Sequence, residues 1–179
     1  MSTTTVVTFG HGTADSAEIT TLLRGAAVTQ LVDVRTAPGS RHNPDSGREA
    51  MAQWLPAAGI GYRWEPRLGG WRRGGDSGPD VALRNASFRS YAGYMRSEEF
   101  RAGITELLDG AVREQTAIMC AETVWWRCHR KLVADYLTLV CGIEVRHLMH
   151  DGALRAHRPT AEARVDGAAL VYDRAVEEP

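Results

Sequence analysis

No stretch of this chain reaches the run of about 18 apolar residues that a membrane-crossing helix needs, so none is expected. The opening "MSTTTVVTFGHG" lacks the basic start and long apolar stretch of a signal peptide, which points to the cytoplasm. Cysteine is scarce: there are three, an odd number, with no visible disulfide framework. Reduced thiols in a cytosol are the simple reading. Lysine is almost missing, since of 21 basic residues only Lys131 is not Arg. That skew fits a GC-rich genome; alternatively, some of the arginines grip phosphate or carboxylate, which guanidinium does bidentately. Net charge is −1, so the overall balance gives no evidence for a nucleic-acid partner. Internal repeats and low-complexity segments are lacking as well.

What remains is an ordinary globular composition, 44% hydrophobic and 24% charged over 179 residues, enough for one domain with one large core. Short β-branched runs alternate with helical periods. Strands are expected at Val6–Phe9, Leu31–Val34, Gly61–Trp64, Thr116–Cys120 and Glu144–Met149. Asp15 and Glu18 resemble a capping box ahead of a helix carrying Ile19, Leu22 and Leu23. Further helices are expected at Arg48–Ala58, Phe88–Arg96, Ser97–Val112 and Cys128–Val140. Residues 66–86 are dense in Gly and Pro and hold no period, as a functional loop would be. The expected fold is α/β: a single three-layer domain with a mostly parallel central sheet flanked by helices, spanning residues 1–150. Residues 151–179 form a C-terminal extension that packs on it, or adds an edge strand through "DGAALVYD".

In such a fold, ligands bind outside the carboxyl ends of the strands, near a topological switch point. Three strand ends carry capable groups. Gly10-His11-Gly12 follows the first; Asp33, Arg35, Ser40 and Arg41 follow the second; Cys120 and Glu122, then Cys128, His129 and Arg130, follow the fourth. His11 is a catalytic imidazole or a cap. Asp33 ends an apolar strand, where a carboxylate needs a partner, and Arg35 is the natural one. Glu122 is a general acid, base or nucleophile, or the ion-pair partner of Arg130. Cys128 lies where a helix dipole lowers a thiol pKa; Cys120 is a second thiol or a small buried apolar group. The C-x7-C-H spacing matches no compact zinc motif, and no metal or cofactor is expected. From Cys120 to Arg127 the spacing is C-x6-R with an acid and no glycine between, which argues against a simple cysteine-phosphatase cradle. Trp125 and Trp126 are core, lid or stacking surfaces, and Arg67, Arg72 and Arg73 with Trp71 give a weak nucleic-acid hint.

The segments "TFGHG", "LVDVRTAPGSR", "GIGYRWEPRLGG", "YAGYM", "MCAETVWWRCHRKLVADYL" and "VRHL" occur in this order over residues 7 to 150. With them the chain resembles a bacterial and archaeal family, domain of unknown function 488. The resemblance implies a small α/β domain and supplies no reaction. It implies that His11, Asp33, Arg35, Ser40, Arg41, Tyr62, Gly69, Gly70, Cys120, Glu122, Cys128, His129 and Arg130 belong to characteristic motifs. Gly12 departs from it, since the family often has Ser there.

The leading expectation is a hydrolase or transferase acting on an anionic, phosphate-bearing substrate, a nucleotide or nucleic acid. Arg35, Arg41, Arg130, His129 and Ser40 would bind the anion; Glu122, Asp33, His11, Cys120 and Cys128 would carry the chemistry; Tyr62, Gly69, Gly70 and Trp125 would contact substrate. One alternative is rhodanese-like sulfur transfer through Cys120 or Cys128. The other is a non-enzymatic module that binds nucleic acid or protein.

Overall fold

The computed structural model describes residues 3–39, 41–74 and 78–175. Six strands form the central sheet: β1 (Thr5–Gly10), β2 (Gln30–Asp33), β3 (Gly61–Trp64), β4 (Thr116–Cys120), β5 (Glu144–Leu148) and β6 (Leu154–Ala156). Their order is β3-β2-β4-β1-β5-β6, parallel throughout except for β6, which runs antiparallel to β5. The helices are α1 (Ser16–Gly25), α2 (Arg48–Ala57), α3 (Ala86–Tyr94), α4 (Glu98–Ala111) and α5 (Arg130–Leu139).

Strand periodicity makes the three layers. Side chains alternate between the two faces of a strand. Val6, Val32, Ile118 and Val145 therefore join one apolar cluster, with Tyr91, Phe100, Leu107, Leu132 and Leu137 from α3, α4 and α5. Val7, Phe9, Leu31, Ala117, Met119 and Leu148 join another, with Ile19, Leu23, Met51 and Leu55 from α1 and α2. Both faces are covered, which is why these strands read as continuous apolar runs.

Local chemistry sets the element ends. Asp15 accepts from the Glu18 backbone N–H at 2.8 Å and caps α1. Asn85 caps α3 through Ser87 and Phe88 N–H, so α3 starts two residues before the position read from periodicity. At α5, a short 3-10 turn occupies Trp125–Arg127 and Cys128 is extended, so the helix begins at Arg130 rather than at Cys128. Residues 66–86 hold only the 3-10 turn Pro66–Leu68 among their described residues before α3.

"DGAALVYD" does not add a strand to the main sheet. It supplies β8 (Ala169–Tyr172), which pairs with β7 (Ala163–Asp166) in a separate hairpin. The sheet edge beside β5 is already taken by β6, so that position was closed. The hairpin is held by Tyr172, whose backbone meets Ala82 N and Asp80 Oδ1 and whose hydroxyl donates to Asp135 at 2.8 Å. Asp135 also accepts from His157 Nε2 at 2.7 Å and Thr160 N at 2.9 Å. His157 Nδ1 meets His147 Nε2 at 2.9 Å, and His147 Nδ1 meets Thr8 Oγ1 at 2.6 Å. A buried polar line thus joins the C-terminal elements to β1.

Burial drops the His147 pKa to about 3, with His157 and Arg130 adding repulsion. The unfolded chain then binds the proton and the folded chain does not, so stability falls as pH drops from about 6.5 toward 3. Glu65, which burial favours in the neutral form but Arg67 and Arg63 hold charged, has its pKa lowered below the usual carboxylate range. Urea unfolding of the wild type should therefore show a loss of about 2–3 kcal/mol between pH 7 and 4.5. His147→Gln should flatten that limb; an equally steep limb in the variant would assign the loss to other groups.

Candidate active site

The crossover after β1 runs through α1 on one face of the sheet, and the crossover after β4 runs through α5 on the other. β1 and β4 are neighbours. Their carboxyl ends therefore border the topological switch point, where a crevice forms. A cavity of about 620 Å³ opens there, within the range of small-molecule sites. Its walls come from the ends of β1, β2 and β4, from the loop after β3, and from the starts of α3 and α5.

The thiols meet on one wall. Cys120 Sγ and Cys128 Sγ lie 2.7 Å apart, both as free cysteines. Arg130 Nε donates to Cys120 Sγ at 2.9 Å, and the Cys120 proton has two acceptors in reach, Cys128 Sγ and the Glu122 carbonyl at 3.6 Å. Cys128 Sγ also receives the Arg130 backbone N–H at 3.5 Å and faces His129 Nδ1 at 3.4 Å. The hydrogen bond from Cys120 pulls the Cys128 thiol well below its ordinary range, against burial, with His129 and Arg130 adding to it. Burial, the Cys128 bond and its negative charge push Cys120 well above. The pair is built to hold one proton between two sulfurs. His129 Nε2 faces the Val34 carbonyl at 3.0 Å; with that nitrogen donating, Nδ1 is left to take the Cys128 proton.

The guanidiniums behind the thiols are spent internally. Arg130 is 1% exposed and gives its remaining donors to Thr8 Oγ1 and to the carbonyls of Glu122 and Thr123. It therefore meets the Glu122 main chain rather than its carboxylate. Gly10 makes room for this: a Cβ there would lie 1.9 Å from the Glu122 carbonyl oxygen and 2.6 Å from Arg130 Nη2. Asp33 is fully buried and accepts from Arg35 Nε at 2.8 Å, Arg35 Nη2 at 2.7 Å and the Tyr62 hydroxyl at 2.6 Å. Burial and that bond push the Tyr62 hydroxyl pKa up. Arg35 Nη1 reaches His11 Nε2 at 3.2 Å, so His11 accepts there and donates from Nδ1 to the Gly12 carbonyl. Burial lowers its pKa and keeps it neutral.

Of the residues singled out by sequence, His11, Arg35, Gly70, Cys120, Glu122, Cys128 and His129 line the cavity together. Asp33, Tyr62 and Arg130 stand behind its wall. Gly69 is buried against Thr36, with no space for a Cβ. Arg41 is exposed and outside the cavity lining. Ser40 lies outside the described residues. Trp125 stacks flat on His147, ring centroids 4.0 Å apart, away from the cavity. Arg67 pairs with Glu65 and Glu106, and Arg72 sits over the Tyr94 ring at 3.8 Å, so two of the three loop arginines are engaged within the chain. Among the described residues, no group of three His, Cys, Asp or Glu is placed to hold a metal, and no helix is long and apolar enough to cross a membrane. Sequence reasoning missed Phe88 and Tyr91 from α3, and it weighed Arg127, which enters the cavity one residue before Cys128, only as the end of a C-x6-R cradle that the spacing argued against. Tyr91 lies in "YAGYM", but no strand end marked it or Phe88.

No curated protein and no solved structure is significantly similar to the chain. A family model described as "Domain of unknown function DUF488" matches residues 15–137. That span begins at the cap of α1 and ends within α5, so it holds Asp33, Arg35, Cys120, Glu122, Cys128 and Arg130, while β1 and His11 precede it. It covers well over half of the sequence, and the chain belongs to the family known as domain of unknown function DUF488.

Proposed function

We propose that the protein is a thiol-dependent transferase that carries a sulfur atom on Cys128. One observation carries this reading: the two sulfurs stand 2.7 Å apart in the cavity wall, with a buried guanidinium against one and a helix start against the other. A thiolate is the reactive form of cysteine, and helix N-termini and cations stabilise it. The Cys128 thiolate attacks the outer sulfur of an anionic donor, a persulfide or thiosulfate. The donor S–S bond breaks, its electron pair leaves on the inner sulfur, and Cys128 becomes a persulfide. A second thiolate then takes the outer sulfur and restores Cys128. Arg127 enters the cavity without an ion-pair partner among the described residues and suits the donor's charge. A reducing cytoplasm keeps such a pair in its dithiol form.

A second reading keeps the hydrolase or transferase for a phosphate-bearing substrate, a nucleotide or nucleic acid. It is favoured by Glu122, whose exposed carboxylate shares the same cavity and, among the described residues, accepts only from Val124 N. The internal use of Arg35 and Arg130 leaves that reading fewer free anion anchors, and so places it second.

Cys128 should alkylate with iodoacetamide at a pH midpoint below the thiol reference of about 8.5, read by mass spectrometry of the labelled peptide. Uniformly slow labelling that needs denaturant excludes thiol chemistry. Incubation with thiosulfate should add one sulfur atom to Cys128, and Cys128→Ser should abolish the gain. Cys120→Ala should raise the Cys128 labelling midpoint, because it removes the side chain that hydrogen-bonds the Cys128 sulfur. Hydrolysis of phosphate esters lost in Glu122→Gln, with no sulfur gain on Cys128, would favour the second reading.

A further inference from the structure

A cation with 1% exposure normally faces a carboxylate, because burying an unpaired charge is costly. Arg130 does not: its side-chain partners are Cys120 Sγ, Thr8 Oγ1 and two main-chain carbonyls. The carboxylate stands at the far end of the buried line described above. Asp135 is fully buried and receives three donors, from His157, Thr160 N and Tyr172.

With both imidazoles neutral, the hydrogen bonds between these ends run in one direction. Asp135 accepts, so His157 donates from Nε2 and is left with a lone pair on Nδ1. His147 must then donate from Nε2 and accept on Nδ1. Thr8 must place its hydroxyl proton on that Nδ1, which turns an oxygen lone pair toward Arg130 Nη1 at 3.2 Å. Each tautomer is then set by the one before it. Thr8, His147, His157 and Asp135 are all buried, and the Trp125 ring lies flat over His147 with an interplanar angle of 4°.

We propose that Asp135, His157, His147 and Thr8 form a relay of positioning residues that aims the Arg130 guanidinium at Cys120 and so controls the reactivity of Cys128. The inference rests on the thiol reading given above. The relay passes no proton to sulfur, because Arg130 keeps its own. It acts by orientation: with the Thr8 lone pair facing Nη1, the guanidinium plane is held with Nε on Cys120 Sγ.

The other charged and titratable groups near the thiols are local ones. His129 comes from the start of α5 and Tyr91 from α3. His11 and Arg35 come from the β1 and β2 ends, and Glu122 and Arg127 from the segment between β4 and α5. None of these touches Thr8 or Asp135, so changes at the relay leave them in place.

The test is the pH profile of Cys128 alkylation in the full chain. Thr8→Val removes the hydroxyl and should raise the midpoint by about one unit, hence about tenfold slower labelling at pH 6. Thr8→Ser restores the hydroxyl and should keep the wild-type midpoint, which a merely structural role of the Thr8 methyl would not do. Asp135→Asn should shift the midpoint in the same direction as Thr8→Val. Should Thr8→Val fail to fold, nitrogen chemical shifts of the wild-type imidazoles carry the test: both His147 and His157 should show protonated Nε2 and bare Nδ1, and a protonated His147 Nδ1 overturns the relay. A depressed wild-type midpoint left unchanged in Thr8→Val and Asp135→Asn also overturns it while leaving the thiol reading intact. An ordinary wild-type midpoint removes the thiol reading, and the relay falls with it.

Discussion

Arg130 is the contact on which the rest of the site depends. A buried guanidinium must be surrounded by acceptors, and in this fold the acceptors come from β1, from the segment after β4, and from a sulfur. Satisfying them draws the ends of two neighbouring strands and the start of α5 to one point. The absence of a side chain at Gly10 follows from the same demand, since main chain and guanidinium fill the space a Cβ would need. The cavity exists because these pieces meet at the edge of the sheet without filling the crevice beyond it.

A second ion pair plays a matching part on the β2 side. Asp33 and Arg35 neutralise each other inside the wall, and Tyr62 and His11 complete their hydrogen bonds. Buried ion pairs give little net stability but penalise alternatives that leave one partner alone. Their role here is to hold the neutral His11 imidazole in one orientation at the cavity rim. The two sides differ in kind: one is a closed salt bridge, the other a cation whose side-chain partners are a thiol and a hydroxyl.

Much of the architecture was legible in the residues. Runs such as Leu31–Val34 and Thr116–Cys120 announce buried parallel strands, and a parallel sheet says which strand ends to inspect. That rule points to His11, Arg35, Cys120, Glu122 and Cys128, all of which line the cavity. What it does not tell is which polar groups remain free, because that depends on partners far apart in the chain. Arg35 and Arg130 look like anion anchors in sequence and are committed to internal partners in space. Thr8 sits inside an apolar strand, and Asp135 lies beside the apolar stripe of α5; neither carries a local signal, since their partners are separated from them by 139 and 37 positions. The C-terminal extension has two placements in sequence, packing on the domain or adding an edge strand, for the same reason: alternation marks a strand but not which neighbour it finds.

The joint at Asp135 has a consequence for when the site comes into being. Its ligands His157 and Tyr172 lie near the end of the described chain, and His147 must pair with Thr8 near its start. During synthesis, residues 5–148, which hold the five parallel strands, emerge before β8, since chains emerge from the N-terminus and fold progressively. Until then Asp135 faces no hairpin and Arg130 lacks its orienting line. On the relay proposed above, the guanidinium would be aimed at the sulfurs only once the C-terminal hairpin has docked.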